Sequence, residues 1–160
     1  MTAVNTPLLD LPAFLHSLRG ERRTAILIHG APLCGKSRFA RQLVEKIDGG
    51  YLDVLEALSH QEDGSHQIDQ FDPVALRLFV LEFAESNPKD VIVIDEFDFL
   101  FPIWGGDLSP FQNMLHELYN PRRATAFVFF AQSRPEWDTW QLETAARLSR
   151  VIDFESLKAL

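Results

Sequence analysis

GAPLCGKS, at Gly30–Ser37, constrains this chain more than any other segment. It matches the pattern G-x-x-x-x-G-K-[ST], and its surroundings agree with the match. TAILIH (Thr24–His29) precedes it as a short apolar strand. SRFARQLVEKI (Ser37–Ile47) follows as an amphipathic helix with Phe39, Leu43, Val44 and Ile47 on one side. A strand that feeds a glycine-rich turn into a helix N-terminus aims backbone N–H groups and a positive dipole end at phosphate oxygens. Gly30, Ala31, Pro32, Leu33, Cys34, Gly35, Lys36, Ser37 and Arg38 form the candidate nucleotide cradle. Lys36 would reach the β- and γ-phosphates, and the Ser37 hydroxyl would ligate Mg²⁺. The chain is therefore expected to bind a nucleotide.

Strands and helices alternate along the remainder. Leu8–Gly20 reads as a short helix with Asp10 as N-cap, Pro12 in its first turn and Gly20 past its end. A second strand lies within Tyr51–Leu58, and Ser59–Asp72 is a polar loop. Pro73–Ser86 is a helix apolar around most of its girth, expected to be heavily buried. Val91–Asp95 is the third strand, Phe101–Pro110 a loop and Phe111–Asn120 a helix. Ala124–Ala131 is the fourth strand, Trp137–Ser149 mostly helix, and Arg150–Phe154 the fifth strand. Near-continuous apolar strands suit a parallel sheet covered on both faces. The expected class is α/β: a three-layer α/β/α P-loop fold around a central five-stranded parallel sheet. An N-terminal extension and short helix (1–20) would precede the core (21–160).

Charge and cysteine usage narrow the partners. A net charge of −8 over 160 residues argues against broad attachment to nucleic acid or anionic membrane. The single cysteine, Cys34, excludes an internal disulfide and suits a reducing compartment. It reads as small filler within the loop. No signal peptide and no run of roughly 20 apolar residues is visible, so a cytoplasmic location is expected.

A second segment, VIVIDEFD at Val91–Asp98, supplies the acids. Asp95, at the C-terminal end of an apolar strand, would hold Mg²⁺ opposite Ser37, directly or through water. Glu96 is the candidate general base, polarising a water for in-line attack on the γ-phosphate. Asp98 reads as a capping or solvated residue rather than a catalytic one.

VIVIDEFDFL resembles the Walker B strand of AAA+ ATPases, P-loop proteins with an additional strand and a catalytic glutamate. The resemblance covers roughly residues 20 to 155. FFAQSRPEW (Phe129–Trp137) is similar to the end of the family's fourth core strand, where a polar sensor precedes Arg-Pro. LETAARLSRVIDF (Leu142–Phe154) resembles the stretch bearing the arginine finger. The resemblance implies ATP and Mg²⁺ as ligands, with Lys36 and Glu96 catalytic. It makes Ser133 the sensor, in place of the usual asparagine, and Arg147 and Arg150 arginines that reach into a neighbouring subunit's site. Ordinary surface arginines near a helix C-terminus are the plainer alternative for both. Arg134, Arg122 and Arg123 are weaker candidates. The sequence stops six residues after the expected fifth strand, so no helical lid is expected. The length, YLDVLEAL and IDEFDFLF also resemble BrxF, the small stand-alone P-loop proteins of type 3 BREX phage-defence systems.

These features together suggest an ATPase that forms homo-oligomers and serves larger protein partners, without touching nucleic acid itself. A nucleotide-dependent interaction module with little hydrolysis is the alternative, and a small-molecule kinase a weaker one. His60, Glu62, Asp63 and His66 read as a solvated loop, because no tight zinc spacing is present. His29 and His116 read as packed or capping. The tryptophans of Pro102–Asp107 and Pro135–Trp140 could face a partner or the core.

Overall fold

The structure, a computed structural model, describes residues 7–60 and 68–160. Its sheet is made by β1 (Ala25–Gly30), β2 (Gly50–Asp53), β3 (Val91–Asp95), β4 (Ala126–Gln132) and β5 (Val151–Asp153). All neighbouring strands pair in parallel, in the order β2-β3-β4-β1-β5. β4 therefore lies between the strand that feeds GAPLCGKS and the strand that ends in Asp95.

Period-two alternation along these strands divides the core into two layers. Ala25, Leu27, Ile92, Ile94, Phe127 and Phe129 face one side. There they meet α3 (Val54–Ser59), α4 (Pro73–Ser86), α5 (Leu100–Ile103) and α6 (Ser109–Glu117). Ile26, Ile28, Val93, Val128 and Phe130 face the other side, against α1 (Leu11–Ser17) and α2 (Lys36–Ile47). This is the expected three-layer α/β/α arrangement. Leu9 bridges to Leu157 beside β5, and α1 buries Leu11, Phe14 and Leu15. The described part of the N-terminal extension thus shares the core's own packing.

Local signals account for most element ends. Asp10 accepts from Ala13 N at 3.1 Å and caps α1 as expected. Asp72 caps α4 in the same way through Ala75 N. Asp53 accepts from Glu56 N at 2.9 Å and opens α3, which takes up the rest of the Tyr51–Leu58 segment expected to contain the second strand. The D-x-x-E spacing there is a local capping signal. A short helix, α5, also occupies part of the expected Phe101–Pro110 loop.

Two further expectations are corrected. α4 buries Pro73, Leu76, Val80 and Ala84, but Val74 and Leu78 are more than half exposed, so only one stripe of this apolar helix is covered. Trp137–Ser149 is not helical. It holds a 3₁₀ turn at Pro135–Thr139, then an irregular hairpin closed by an antiparallel bridge between Glu143 and Ser149. Trp137, 1% exposed, is anchored among Phe101, Phe111 and Trp140. Arg150 N donates to Leu142 O at 2.7 Å and Thr144 N to Leu148 O at 2.8 Å. These tertiary bonds take the backbone groups that a helix would have used. Among the described residues no helix is long and apolar enough to cross a membrane.

Candidate functional site

The candidate site lies at the C-terminal edge of the sheet, where β1, β3 and β4 end side by side. Gly30 ends β1 in a crowded place: a Cβ would sit 2.9 Å from both Cys34 Sγ and Phe154 Cβ, so a side chain there would force its neighbours to shift. Gly35, at φ +99°, turns the chain into α2 from a left-handed conformation that glycine adopts without strain. Between them Leu33 also holds a positive φ of 60°. The α2 N-terminus carries no side-chain cap, so its N–H groups are left for an anion.

Lys36 folds back over this loop. Its Nζ donates to Gly30 O at 3.0 Å and to Ala31 O at 2.7 Å, and lies 3.7 Å from Cys34 Sγ. Ser37 Oγ donates to Glu96 Oε1 at 3.1 Å, joining the two segments singled out by the sequence. Leu33, Lys36, Ser37, Arg38, Asp95 and Glu96 border a cleft of about 430 Å³, floored in part by Phe130 and Gln132.

Glu96 sits at φ +58°, a conformation costly for a residue with a side chain. In that conformation its N–H donates to Asp95 Oδ1 at 2.9 Å and its carbonyl accepts from Leu55 N. Asp95 is 4% exposed. Its second oxygen, Oδ2, accepts from Tyr51 Oη at 2.7 Å. Burial first, and then the bond to Asp95, raise the Tyr51 pKa, so the phenol keeps the proton it donates. Tyr51 was not among the sequence candidates. Its signal was an aromatic with a polar tip near the end of the strand beside β3.

The end of β4 is tied on both flanks. Ser133 N donates to Gly30 O at 3.0 Å, and Gln132 N to Asp98 Oδ1 at 2.8 Å. Ser133 is thereby held between the Gly30–Ser37 loop and the acidic strand end. Its Oγ lies 2.9 Å from His29 Nδ1. Burial lowers the His29 pKa, against an opposing pull from Asp153. Asp98 is neither a helix cap nor freely solvated. It is half-buried, burial raises its pKa, and its side chain holds β4 to the loop after β3.

Arg150 is corrected. It is 1% exposed and donates inward, to Glu143 O at 3.1 Å and Ala25 O at 2.9 Å. A guanidinium spent on its own backbone has no reach into a neighbouring molecule. Arg147 is exposed, at φ +63°, in the hairpin before β5. No helix precedes it, so the helix-terminus account of both arginines also falls. Because all strands run the same way, residues that precede a strand lie at the edge opposite the phosphate loop. Arg122 and Arg123 occupy that edge too, paired with Glu85 and Asp90. Arg134 pairs with Glu136 at 3.2 Å and lies over the Phe101 ring.

His116 Nδ1 lies 3.4 Å from Arg150 Nη2, a packed role. Trp104 Nε1 donates to Phe71 O and Trp137 Nε1 to Gln132 O, so both serve the core. Glu62, Asp63 and His66 lie outside the described residues.

The donors fit a Mg²⁺ ion that arrives with a nucleotide. Ser37 and Asp95 offer hard oxygen ligands beside a phosphate cradle. Among the described residues no group of three or more His, Cys, Asp or Glu could hold a metal, so phosphate oxygens and water would complete the shell. The family model for AAA, the ATPase family associated with various cellular activities, matches residues 26–156. That span runs from β1 to the turn after β5 and is most of the chain. Among curated proteins, none matches.

Proposed function

The chain belongs to the AAA family of ATPases, and from that premise we propose that it is a Mg²⁺-dependent ATPase whose sites are completed between copies. The observation that carries this reading is the 3.1 Å bond from Ser37 to Glu96. It joins the hydroxyl and the carboxylate that this reading makes metal ligand and base, at the cleft bordered by Lys36.

In the proposed division of roles, Gly30 to Arg38 cradle the phosphates. Lys36 exchanges the Gly30 and Ala31 carbonyls for the β- and γ-oxygens. Ser37 and Asp95 hold Mg²⁺, which when bound neutralises charge on those oxygens. Glu96 releases Ser37 and accepts a proton from the water that attacks the γ-phosphate. Ser133 hydrogen-bonds the γ-phosphate or that water, and Arg147 stands ready for a neighbouring copy. Residues 21–160 would be the ATPase core, working in the cytoplasm with larger protein partners. The resemblance to BrxF makes a BREX-like phage-defence assembly the proposed setting.

Phosphate release from ATP–Mg²⁺, measured across protein concentrations with Glu96→Gln as the blank, tests this. Specific activity that rises with concentration supports sites shared between copies. Constant specific activity above the blank removes the sharing but keeps the ATPase.

Activity at the blank level with ATP still bound would support a second reading, a nucleotide-dependent interaction module. The 2.9 Å contact between Ser133 Oγ and His29 favours it, because that hydroxyl already has a partner. A phosphorylated acceptor would instead support a small-molecule kinase.

A further inference from the structure

We propose that Tyr51, braced by Arg41, is a positioning residue that sets the Asp95 carboxylate for a divalent cation. The inference rests on the reading of Asp95 as a Mg²⁺ ligand.

Both Asp95 oxygens are already held by protein donors. Oδ1 accepts from Glu96 N at 2.9 Å and Oδ2 from Tyr51 Oη at 2.7 Å. One donor on each oxygen fixes both the rotation and the plane of the carboxylate. Each oxygen keeps a further lone pair, so the clamp does not use up the ligand. The backbone donor is local and comes with the turn at Glu96. The phenol is not local: it comes from β2, 44 positions earlier. β2 and β3 pair with Tyr51 opposite Val93 and Asp53 opposite Asp95. The Tyr51 side chain therefore reaches diagonally, two positions along β3 from its own partner, to meet Asp95 from the neighbouring strand.

Arg41 ties the same tyrosine to the phosphate loop. Its guanidinium lies 5.5 Å from the centroid of the Tyr51 ring, within the range of a cation–π contact. Arg41 is on α2, four residues and about one turn after Ser37. A chain of contacts thus links Ser37 to Asp95: Ser37 and Arg41 on one helix, Arg41 on Tyr51, and Tyr51 on Asp95. The hydroxyl and the carboxylate arrive from different elements, and their separation determines whether one ion can be held by both. Outer hydrogen bonds of this kind change metal affinity by about 10–100-fold when removed.

The test is equilibrium binding of a fluorescent ATP analogue by the full chain, titrated with Mg²⁺ and repeated in EDTA. The variants are Tyr51→Phe, Arg41→Met and Asp95→Asn. Tyr51→Phe removes one hydroxyl and keeps the ring, and Arg41 is exposed, so neither threatens the core. The Mg²⁺ concentration for half-maximal binding should rise about 10–100-fold in Tyr51→Phe. Arg41→Met should raise it less, and affinity in EDTA should stay within about twofold of the parent. A parental Mg²⁺ dependence in Tyr51→Phe, with the dependence lost in Asp95→Asn, overturns the positioning role alone. An equal loss in EDTA also overturns it, because the tyrosine would then serve the nucleotide or the fold. A parental Mg²⁺ dependence in Asp95→Asn overturns the metal-ligand reading on which the inference stands.

Discussion

Ser37 Oγ donates to Glu96 Oε1 across 3.1 Å, although the two residues are 59 positions apart. The bond exists because β4 sits between β1 and β3 and brings both strand ends to one cleft. It also gives each residue a partner that it must leave to act. Glu96→Gln keeps an oxygen for Ser37 but cannot take a proton. Turnover should fall about 10²–10⁴-fold, the usual share of a general base, with nucleotide affinity within a few-fold of the parent. Phosphate release and equilibrium binding measure the two separately. A parallel loss of both would remove Glu96 from the base role.

Arg150 and Arg147 should separate cleanly. Arg150→Ala strips donors from the carbonyls of Ala25 and Glu143. Ala25 is buried, and a buried acceptor left unpaired costs about 1–3 kcal/mol, so a loss of that order is expected. At this chain length that is a fall in Tm of about 2–12 °C. Arg147→Ala alters an exposed side chain and should stay within about 0.5 kcal/mol, while lowering the specific activity of concentrated protein. Thermal unfolding of the two variants side by side distinguishes a structural arginine from a free one.

The contrast between these arginines shows what could be read from residue order. GAPLCGKS and VIVIDEFD were legible because pattern and chemistry coincide locally: a buried strand, a turn that only glycine fits, then a helix start or paired acids. Trp137–Ser149 was not, because its helical periodicity is overruled at long range. Arg150 binds a carbonyl 125 positions away, and Trp137 buries its ring among Phe101 and Phe111. Tyr51 was missed for the same reason, since only strand pairing brings it to Asp95. The capping signal at Asp53 and Glu56 is local, but it lies inside an apolar stretch, YLDVLEAL, that reads equally as strand.

Acid should weaken the fold through His29. Burial holds its folded pKa below the ordinary 6.5, so the unfolded chain binds this proton more readily. Stability therefore rises with pH between the lowered folded value and 6.5, and is lost as pH falls through that interval. One such group changes stability by at most about 1.4 kcal/mol per pH unit. Tm recorded between pH 5 and 8 should drop on the acid side, and His29→Asn should drop less steeply over the same interval. Parallel curves would show that His29 does not carry the dependence.

Gly30 tests how tightly the phosphate loop is built. A Cβ at this position meets Cys34 Sγ and Phe154 Cβ, each at 2.9 Å. The sulfur can rotate away, whereas the Cβ is fixed to its backbone. Overpacking of this kind costs about 1–3 kcal/mol. Gly30→Ala should therefore lower Tm and weaken nucleotide binding together, since the loop is the part most able to give. Replacing Cys34 by Ala in the same chain removes the sulfur contact and leaves the Phe154 one. The double variant should recover part of the loss and never all of it, with a coupling between the sites of about 0.5 kcal/mol or more. Purely additive effects would mean that the sulfur already turns aside at no cost and that Phe154 alone enforces the glycine.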